Sequence, residues 1–375
     1  MISSTETSMD KLRILLVLPA SKGETGFTVG FEKMADCVAE DVALQVLYTR
    51  ASETLSRSRF LARLPKFLGN SILLTITLLR SEYDFVWTPS VLSVAFYLLM
   101  LKRLARFRFR LILHLAGLPS ERPGFAQRLI EAGLQGVSRK SDIVWYIDDF
   151  RLASFASQNK RCSLVPTPVD VETFRPDSSR RRATRTRLQL GEAFGVGIIG
   201  PFDPFYNGPG LSYVLQHLGS LPDSAKLLVV GEYGKIKPES SDKVLFAGKV
   251  PFDEYLDLMR AMDCLIVPRT VKTHGPQSKV LEAMAVGLPV VQTSMATPPR
   301  GYTNGKDLFV VVSVDEIFHV LASLVDDLGL RASVSEAARS LVADHYSNAQ
   351  VRSMILTSLR ATEVSPRRRS LMVGD

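Results

Sequence analysis

The chain has 375 residues, 46% of them hydrophobic and 22% charged, and a formal net charge of +8. That length is ample for two cores, and the globular composition without a low-complexity tract or repeat excludes disordered and repeat-built chains. Cys37, Cys162 and Cys264 lack metal or redox spacing, which fits a reducing compartment better than a disulfide framework.

Residues 1–11 are polar and lack the charged and apolar regions of a signal peptide. A strand follows at 12–19, a helix near 31–39 and a second strand at 43–48. The apolar runs at 71–79 and 91–101 fall well short of the roughly 20 residues that cross a bilayer, so a cytoplasmic protein, soluble or peripheral, is expected. Residues 85–88 read as a third strand, with an apolar helix from about Ser90 and a fourth strand at 111–115. A helix at 125–137, a strand at 143–147, a short helix and a strand at 163–166 complete a doubly wound parallel pattern.

A polar, Arg-rich break covers 175–187, after which the alternation restarts with a strand at 195–199. A helix at 210–218, strands at 226–230 and 244–246 and a helix at 253–262 follow. The tail from about Val314 reads as helical and ends in a basic run with Arg367, Arg368 and Arg369.

The most informative stretch lies between a buried strand at 264–267 and a second strand at 288–292. From Ser278 the pattern is helical, with Val280, Leu281 and Met284 on one stripe, Gly287 as a stop and Pro289 beyond it. Such a strand, loop, helix, strand unit sets its loop over the carboxyl end of the sheet. The helix start there offers free N–H groups to an anion.

The ordered set Val-Leu-Phe-Ala-Gly-Lys (244–249), Phe-Asp-Glu-Tyr-Leu (252–256), Met-Asp-Cys-Leu-Ile-Val-Pro (262–268) and Lys-Val-Leu-Glu-Ala-Met-Ala-Val-Gly-Leu-Pro-Val-Val (279–291) resembles the retaining glycosyltransferases of family 4. Residues 164–174 and 227–232 support the likeness. The resemblance implies α/β GT-B architecture, with two Rossmann-like doubly wound domains facing across a cleft. It also implies a nucleotide-sugar donor on the second domain and an acceptor on the first. The expected division is 1–176 for the acceptor-side domain, 177–192 for a linker, 193–345 for the nucleotide-sugar domain and 346–375 for a C-terminal helix and basic tail.

By that likeness Glu282, which interrupts an apolar, alanine-rich helix, matches the glutamate that binds the donor ribose. The family's other glutamate is replaced by His274. In Gly-Pro-Phe-Asp-Pro-Phe-Tyr-Asn-Gly (200–208), Pro201 and Asn207 stand where the family carries an Arg and a Lys that neutralise the departing diphosphate. Lys279, Lys272 and Arg269 are the nearby cations that could replace them, and Gly275, Gln277 and Ser278 complete the expected donor loop. The Gly-Pro-Gln-Ser-Lys run resembles a branch linked to exopolysaccharide assembly that carries Gly-x-Gln-Asn-Lys before its Leu-Glu.

His114 and His274 are the expected sugar-contacting catalytic residues. For His114 the alternative is a strand-end histidine making a backbone contact, and for His274 a solvated loop position. Gly23 and Gly26 either approach the acceptor and phosphates or merely shape a turn. No Asp-x-Asp triplet, ligand-spaced histidine pair or nucleophile elbow is present, so no metal or other cofactor is expected.

Between Arg50 and Arg110 there are 11 Lys plus Arg against 3 acids, which concentrates the positive charge in the first half. Residues 55–69 set Phe60, Leu61, Leu64, Phe67 and Leu68 on one helical face, with Arg57, Arg59, Arg63 and Lys66 around the others. Such a helix suits an anionic membrane surface or, equally, docking on the sheet with solvated charges. No recognition motif accompanies the basic residues, so nucleic acid is not an expected partner. The expected function is transfer of a sugar from a nucleotide donor to a saccharide or lipid-linked acceptor with retention, in exopolysaccharide or cell-envelope glycan synthesis. The alternative is a catalytically silent GT-B scaffold or partner subunit of a polysaccharide assembly complex, motivated by Pro201, Asn207 and His274.

Overall fold

The computed structural model of the protein describes residues 11–18, 26–49, 60–104, 107–117, 125–204, 207–234, 236 and 241–363, with backbone alone at 26–27, 60–68, 125–127 and 150. The chain divides into two compact units, Met1–Pro166 with Ala349–Asp375, and Thr167–Asn348.

The first unit is built on β1 (Arg13–Leu18), β2 (Ala43–Tyr48), β3 (Phe85–Pro89), β4 (Arg110–Leu115), β5 (Ile143–Tyr146) and β6 (Cys162–Leu164). All pair in parallel, in the order β2-β1-β3-β4-β5-β6. Side chains of a strand alternate between its faces, and both faces here are apolar, as a sheet covered by helices on each side requires. Ile14, Leu16 and Leu18 of β1 join a core with α1 (Gly26–Val38). Leu15 and Val17 turn instead to α2 (Phe60–Arg80) and α3 (Leu92–Leu104). Leu113 and Leu115 of β4 pack with α4 (Phe125–Lys140) and α5 (Phe150–Ala156).

The second unit holds β7 (Phe194–Ile199), β8 (Ala225–Val230), β9 (Val244–Gly248), β10 (Cys264–Val267), β11 (Val290–Thr293) and β12 (Phe309–Val311). These are parallel in the order β12-β11-β10-β7-β8-β9. Its helices are α6 (Ser178–Arg187), α7 (Gly208–Gln216), α8 (Phe252–Ala261), α9 (Ser278–Val286), α10 (Val314–Asp326) and α11 (Leu328–Tyr346). Phe194, Val196 and Ile198 face the α7 and α10 side, while Leu265, Val267 and Val290 face α8, α9 and α11. Two Rossmann-like α/β units therefore stand as the sequence led one to expect.

Several expectations need correcting. The division falls at Pro166 rather than 176, and α12 (Asn348–Glu363) returns to the first unit from Ala349 onward, where Val351, Ile355 and Leu359 enter its core. Trp145 Nε1 donates to Ser358 Oγ at 2.8 Å within that core. The segment expected as a linker, 177–192, carries α6, a helix of the second unit. Asp177 caps it by accepting from the Arg180 amide at 2.9 Å. Arg185 donates to Asp263 Oδ2 at 3.0 Å and to the Ala261, Gly191 and Ala193 carbonyls, so guanidinium bonds hold this polar helix where apolar periodicity is missing. The amphipathic helix expected to end near Gly69 and the apolar run after it are one helix, α2.

Candidate functional site

The order of the second sheet reverses between β7 and β10, and open α/β sheets take ligands outside the carboxyl ends of the strands at such a point. β7 runs out into Gly200, whose φ of +152° L side chains rarely adopt. A Cβ there would lie 2.9 Å from Asn207 Nδ2 and 3.1 Å from Lys279 Nζ, so glycine leaves room for both side chains. At Gly210 a Cβ would meet the Pro268 carbonyl oxygen at 1.8 Å; the glycine lets α7 pack against the end of β10.

Three side chains converge at this point. Arg269, just beyond β10 and buried, donates from Nη1 to Asn207 Oδ1 at 2.7 Å. Its own carbonyl accepts from Thr293 Oγ1 at 2.7 Å, and its amide donates to the Val267 carbonyl at 2.9 Å, so its backbone is fixed on both sides. Lys279, in the first turn of α9, donates from Nζ to the Ile199 carbonyl and, at 3.4 Å, to Asn207 Oδ1. Asn207 donates from Nδ2 to the Pro201 carbonyl at 2.8 Å, which turns its oxygen toward both cations. It occupies the N-cap position of α7 but makes no side-chain cap bond, because its Oδ1 accepts from the two cations instead.

Lys279 is half-buried with its ammonium turned inward. Burial, and after it the charge of Arg269, push that ammonium down to about 7, with Asp203 partly offsetting them. An anion placed beside the two cations would reverse the shift, since an opposite charge favours the protonated form. α9 opens at Gln277, extended at φ −76° and ψ 140°, with no cap bond from its side chain. Its Nε2 is buried and finds no hydrogen-bond partner among the described residues. The first-turn amides of Ser278 and Lys279 belong to the set that a helix leaves without internal acceptors, and a helix start next to two cations draws negative charge.

The helix is buried from Val280 to Val286 and stops at Gly287, left-handed at φ +88°. Glu282 is the one acid in that buried run, at 6% exposure, and Tyr255 Oη of α8 donates to its Oε2 at 2.6 Å. Burial, and then the Glu282 charge, raise the Tyr255 phenol well above its ordinary value. His274 is half-buried, and Gly275 beside it takes φ +66°. The loop around them is tied down by Thr273, whose amide donates to the Met295 carbonyl at 2.9 Å and whose Oγ1 accepts from the Thr297 amide at 2.9 Å.

Other expected residues lie elsewhere. Lys272 is exposed and donates to the Ser294 carbonyl at 3.0 Å. His114, expected at the sugar, has no exposed surface in the first unit. Its ring sits among Phe31 at 5.0 Å, Trp87 at 5.9 Å and Trp145 at 5.8 Å between centroids. Its Nε2 contacts the Val165 carbonyl at 3.0 Å, so that nitrogen carries the proton and Nδ1 is bare. Burial pushes the imidazole down to about 3, against the raising effect of that carbonyl, and the ring is neutral. It is the backbone-contacting reading of His114 that the geometry matches. Gly26 is the first residue of α1, while Gly23, Arg57 and Arg59 lie outside the described residues, as do the side chains of Arg63 and Lys66.

Asn207 is the residue whose part sequence reasoning missed: it registers there as a lost cation, and no local signal marks it as the shared acceptor of two others. A cavity of about 1050 Å³ opens in the same unit near Met262, Asp263, Leu288 and Pro289, at the starts of β10 and β11 and so at the far end of the strands from this cluster.

Residues 193–327, the stretch holding the cluster, match the family model described as glycosyl transferases group 1. A GDP-mannose-dependent monoacylated alpha-(1-6)-phosphatidylinositol monomannoside mannosyltransferase of Corynebacterium glutamicum is 26% identical over 244 residues, 60% of this chain and 62% of that protein. A D-inositol 3-phosphate glycosyltransferase of Corynebacterium jeikeium is 29% identical over 197 residues, 47% of this chain and 46% of that protein. The match thus spans less than two thirds of either relative. Among solved structures, Anabaena HepE in complex with UDP superposes with a TM-score of 0.72 at 14% identity, covering 93% of this chain and 100% of that one. The sucrose-phosphate synthase of Thermosynechococcus elongatus gives 0.73 at 14% identity, covering 94% and 99%. These likenesses establish the GT-B fold.

Proposed function

We propose that this protein, whose residues 193–327 match the group 1 glycosyl transferases, is a glycosyltransferase that takes a sugar from a nucleotide donor and passes it to a saccharide or lipid-linked acceptor with retention. The observation that carries the reading is the convergence of Arg269 and Lys279 on Asn207 beneath the start of α9. A nucleoside diphosphate leaving a sugar gains negative charge at its bridging oxygen. Preorganised donors aimed at such charge typically supply several kcal/mol of transition-state stabilisation. In this reading Arg269, Lys279 and the first amides of α9 take the diphosphate, Glu282 the ribose and His274 the sugar. Charge neutralisation then comes from side chains, with no metal ion required.

The names of the two curated relatives concern inositol phosphate and phosphatidylinositol mannoside, which supports a lipid-linked or polyol acceptor within cell-envelope glycan synthesis. Exopolysaccharide assembly is the narrower form of the same reading.

The test is a panel of UDP-, GDP- and ADP-sugars, read first by thermal stabilisation and then by release of the nucleoside diphosphate with saccharide and polyprenyl-phosphate or phosphatidylinositol acceptors. One donor class is expected to raise the melting temperature of the native protein and not that of a Lys279→Met, Arg269→Met variant. Stabilisation without turnover on any acceptor would favour the silent scaffold. No stabilisation by any donor would end the donor-site reading.

A further inference from the structure

The outer faces of α2 and α3 in the first unit are apolar where a solvated helix would be polar. On α2, Ile72 is 58% exposed, Leu73 45%, Ile76 38% and Leu79 70%, while Leu74 and Leu78 fill the core on the opposite side. On α3, Phe96 is 64% exposed, Met100 42% and Leu104 74%, while Ala95, Leu98 and Leu101 are buried. The spacings 72, 76, 79 and 96, 100, 104 each trace one stripe of a helix. The two helices touch: Thr75 Oγ1 lies 2.6 Å from Tyr97 Oη, which also donates to the Ser71 carbonyl at 3.1 Å. Single exposed leucines are ordinary, but seven large apolar side chains on two neighbouring helices are a surface that something covers.

Charge selects the occupant. Neither α2 nor α3 contains an Asp or a Glu, while α2 carries Arg63, Lys66 and Arg80 and α3 carries Lys102 and Arg103. Arg80 and Arg103 are exposed, and Lys102 is engaged with Asp142. A second copy docked face to face would set the exposed Arg80 and Arg103 against helices that carry no acid, which opposes a two-fold dimer. No helix among the described residues is long and apolar enough to cross a membrane, so a lipid-bound helix here lies along the surface.

We infer that the paired outer faces of α2 and α3 dock the protein on an anionic bilayer, with the seven apolar side chains entering the acyl boundary and Arg80 and Arg103 meeting lipid phosphates. The inference goes beyond the donor-site reading and stands without it; with a lipid-linked acceptor it brings the first unit to where that acceptor resides.

The experiment is co-sedimentation of the full chain with vesicles of phosphatidylcholine alone or with phosphatidylglycerol, at low and high salt, with no nucleotide sugar present. Binding to the anionic vesicles and its loss at high salt are expected. The exposed substitutions Leu79→Gln, Phe96→Gln and Leu104→Gln together, or Arg80→Glu with Arg103→Glu, are expected to lower the bound fraction roughly tenfold while leaving the melting temperature unchanged. Binding that these variants do not alter, equal binding to phosphatidylcholine alone, or a dimer that the apolar variant converts to monomer without any vesicle binding would each overturn the inference. Because no donor enters the assay, its failure leaves the donor site untouched, and loss of donor binding leaves the docking surface untouched.

Discussion

His114 and Arg269 invite comparison because each stands at the carboxyl end of the fourth strand, in chain order, of a six-stranded parallel sheet, and the two ends are built for different work. In the first unit the strand end is closed: His114 is boxed by Phe31, Trp87 and Trp145, and burial keeps its ring uncharged. In the second the strand end stays polar: Gly200 leaves space for Asn207 and Lys279, and Arg269 and Lys279 share Asn207 Oδ1. A parallel sheet offers its strand ends as positions, and the neighbouring side chains decide whether a position becomes core or site.

The sharpest break of this comparison removes both cations. Lys279→Met with Arg269→Met is expected to lower kcat/KM for the nucleotide sugar by about 100-fold or more, measured by release of nucleoside diphosphate. His114→Ala should act on the fold instead. It empties part of an aromatic core and is expected to cost about 2–4 kcal/mol of stability by denaturant unfolding, with turnover per folded molecule unchanged. A loss of turnover at constant stability would restore His114 to the chemistry.

Asn207→Ala should raise the donor Kd about tenfold, because two cations lose the acceptor that holds them side by side. The pH profile of donor binding follows from Lys279, whose ammonium is pushed down to about 7 by burial and by the charge of Arg269. A bound diphosphate raises that value, so binding favours the protonated form. Affinity is therefore expected to be full below about pH 7 and to fall as pH rises through the interval between the free and bound values. Lys279→Arg should flatten the profile, since a guanidinium stays charged throughout. The smallest effect is expected at Lys272, where Lys272→Met should change the donor KM by less than about twofold, because its ammonium is exposed and donates to the Ser294 carbonyl.

Much of the fold was legible because its signals are local. Short apolar runs in β-rich segments announced most strands, and Gly287 with Pro289 announced the end of α9. The site was legible in its elements, with Arg269 and Lys279 both named as replacements for the missing pair, and illegible in its organiser. Asn207 matters through contacts 62 and 72 residues away along the chain, and no spacing rule reaches that far. α6 was hidden for a related reason: its partners are carbonyls and Asp263, so it has little hydrophobic period to read. β12, three residues long, was not expected from the sequence. His114 did carry a legible warning, set between Leu113 and Leu115 in a strand buried on both faces. Its burial follows from that run more directly than a catalytic role follows from a family position.

The most direct test of the central claim is calorimetric titration of the native protein and of Lys279→Met with UDP and GDP between about pH 6 and pH 9 in buffers of different ionisation enthalpy. Binding of one diphosphate by the native protein, with proton uptake near and above pH 7 that vanishes together with most of the affinity in Lys279→Met, is the predicted result. Equal affinity and equal proton uptake in the two proteins would contradict the assignment of Lys279 and Arg269 to the diphosphate.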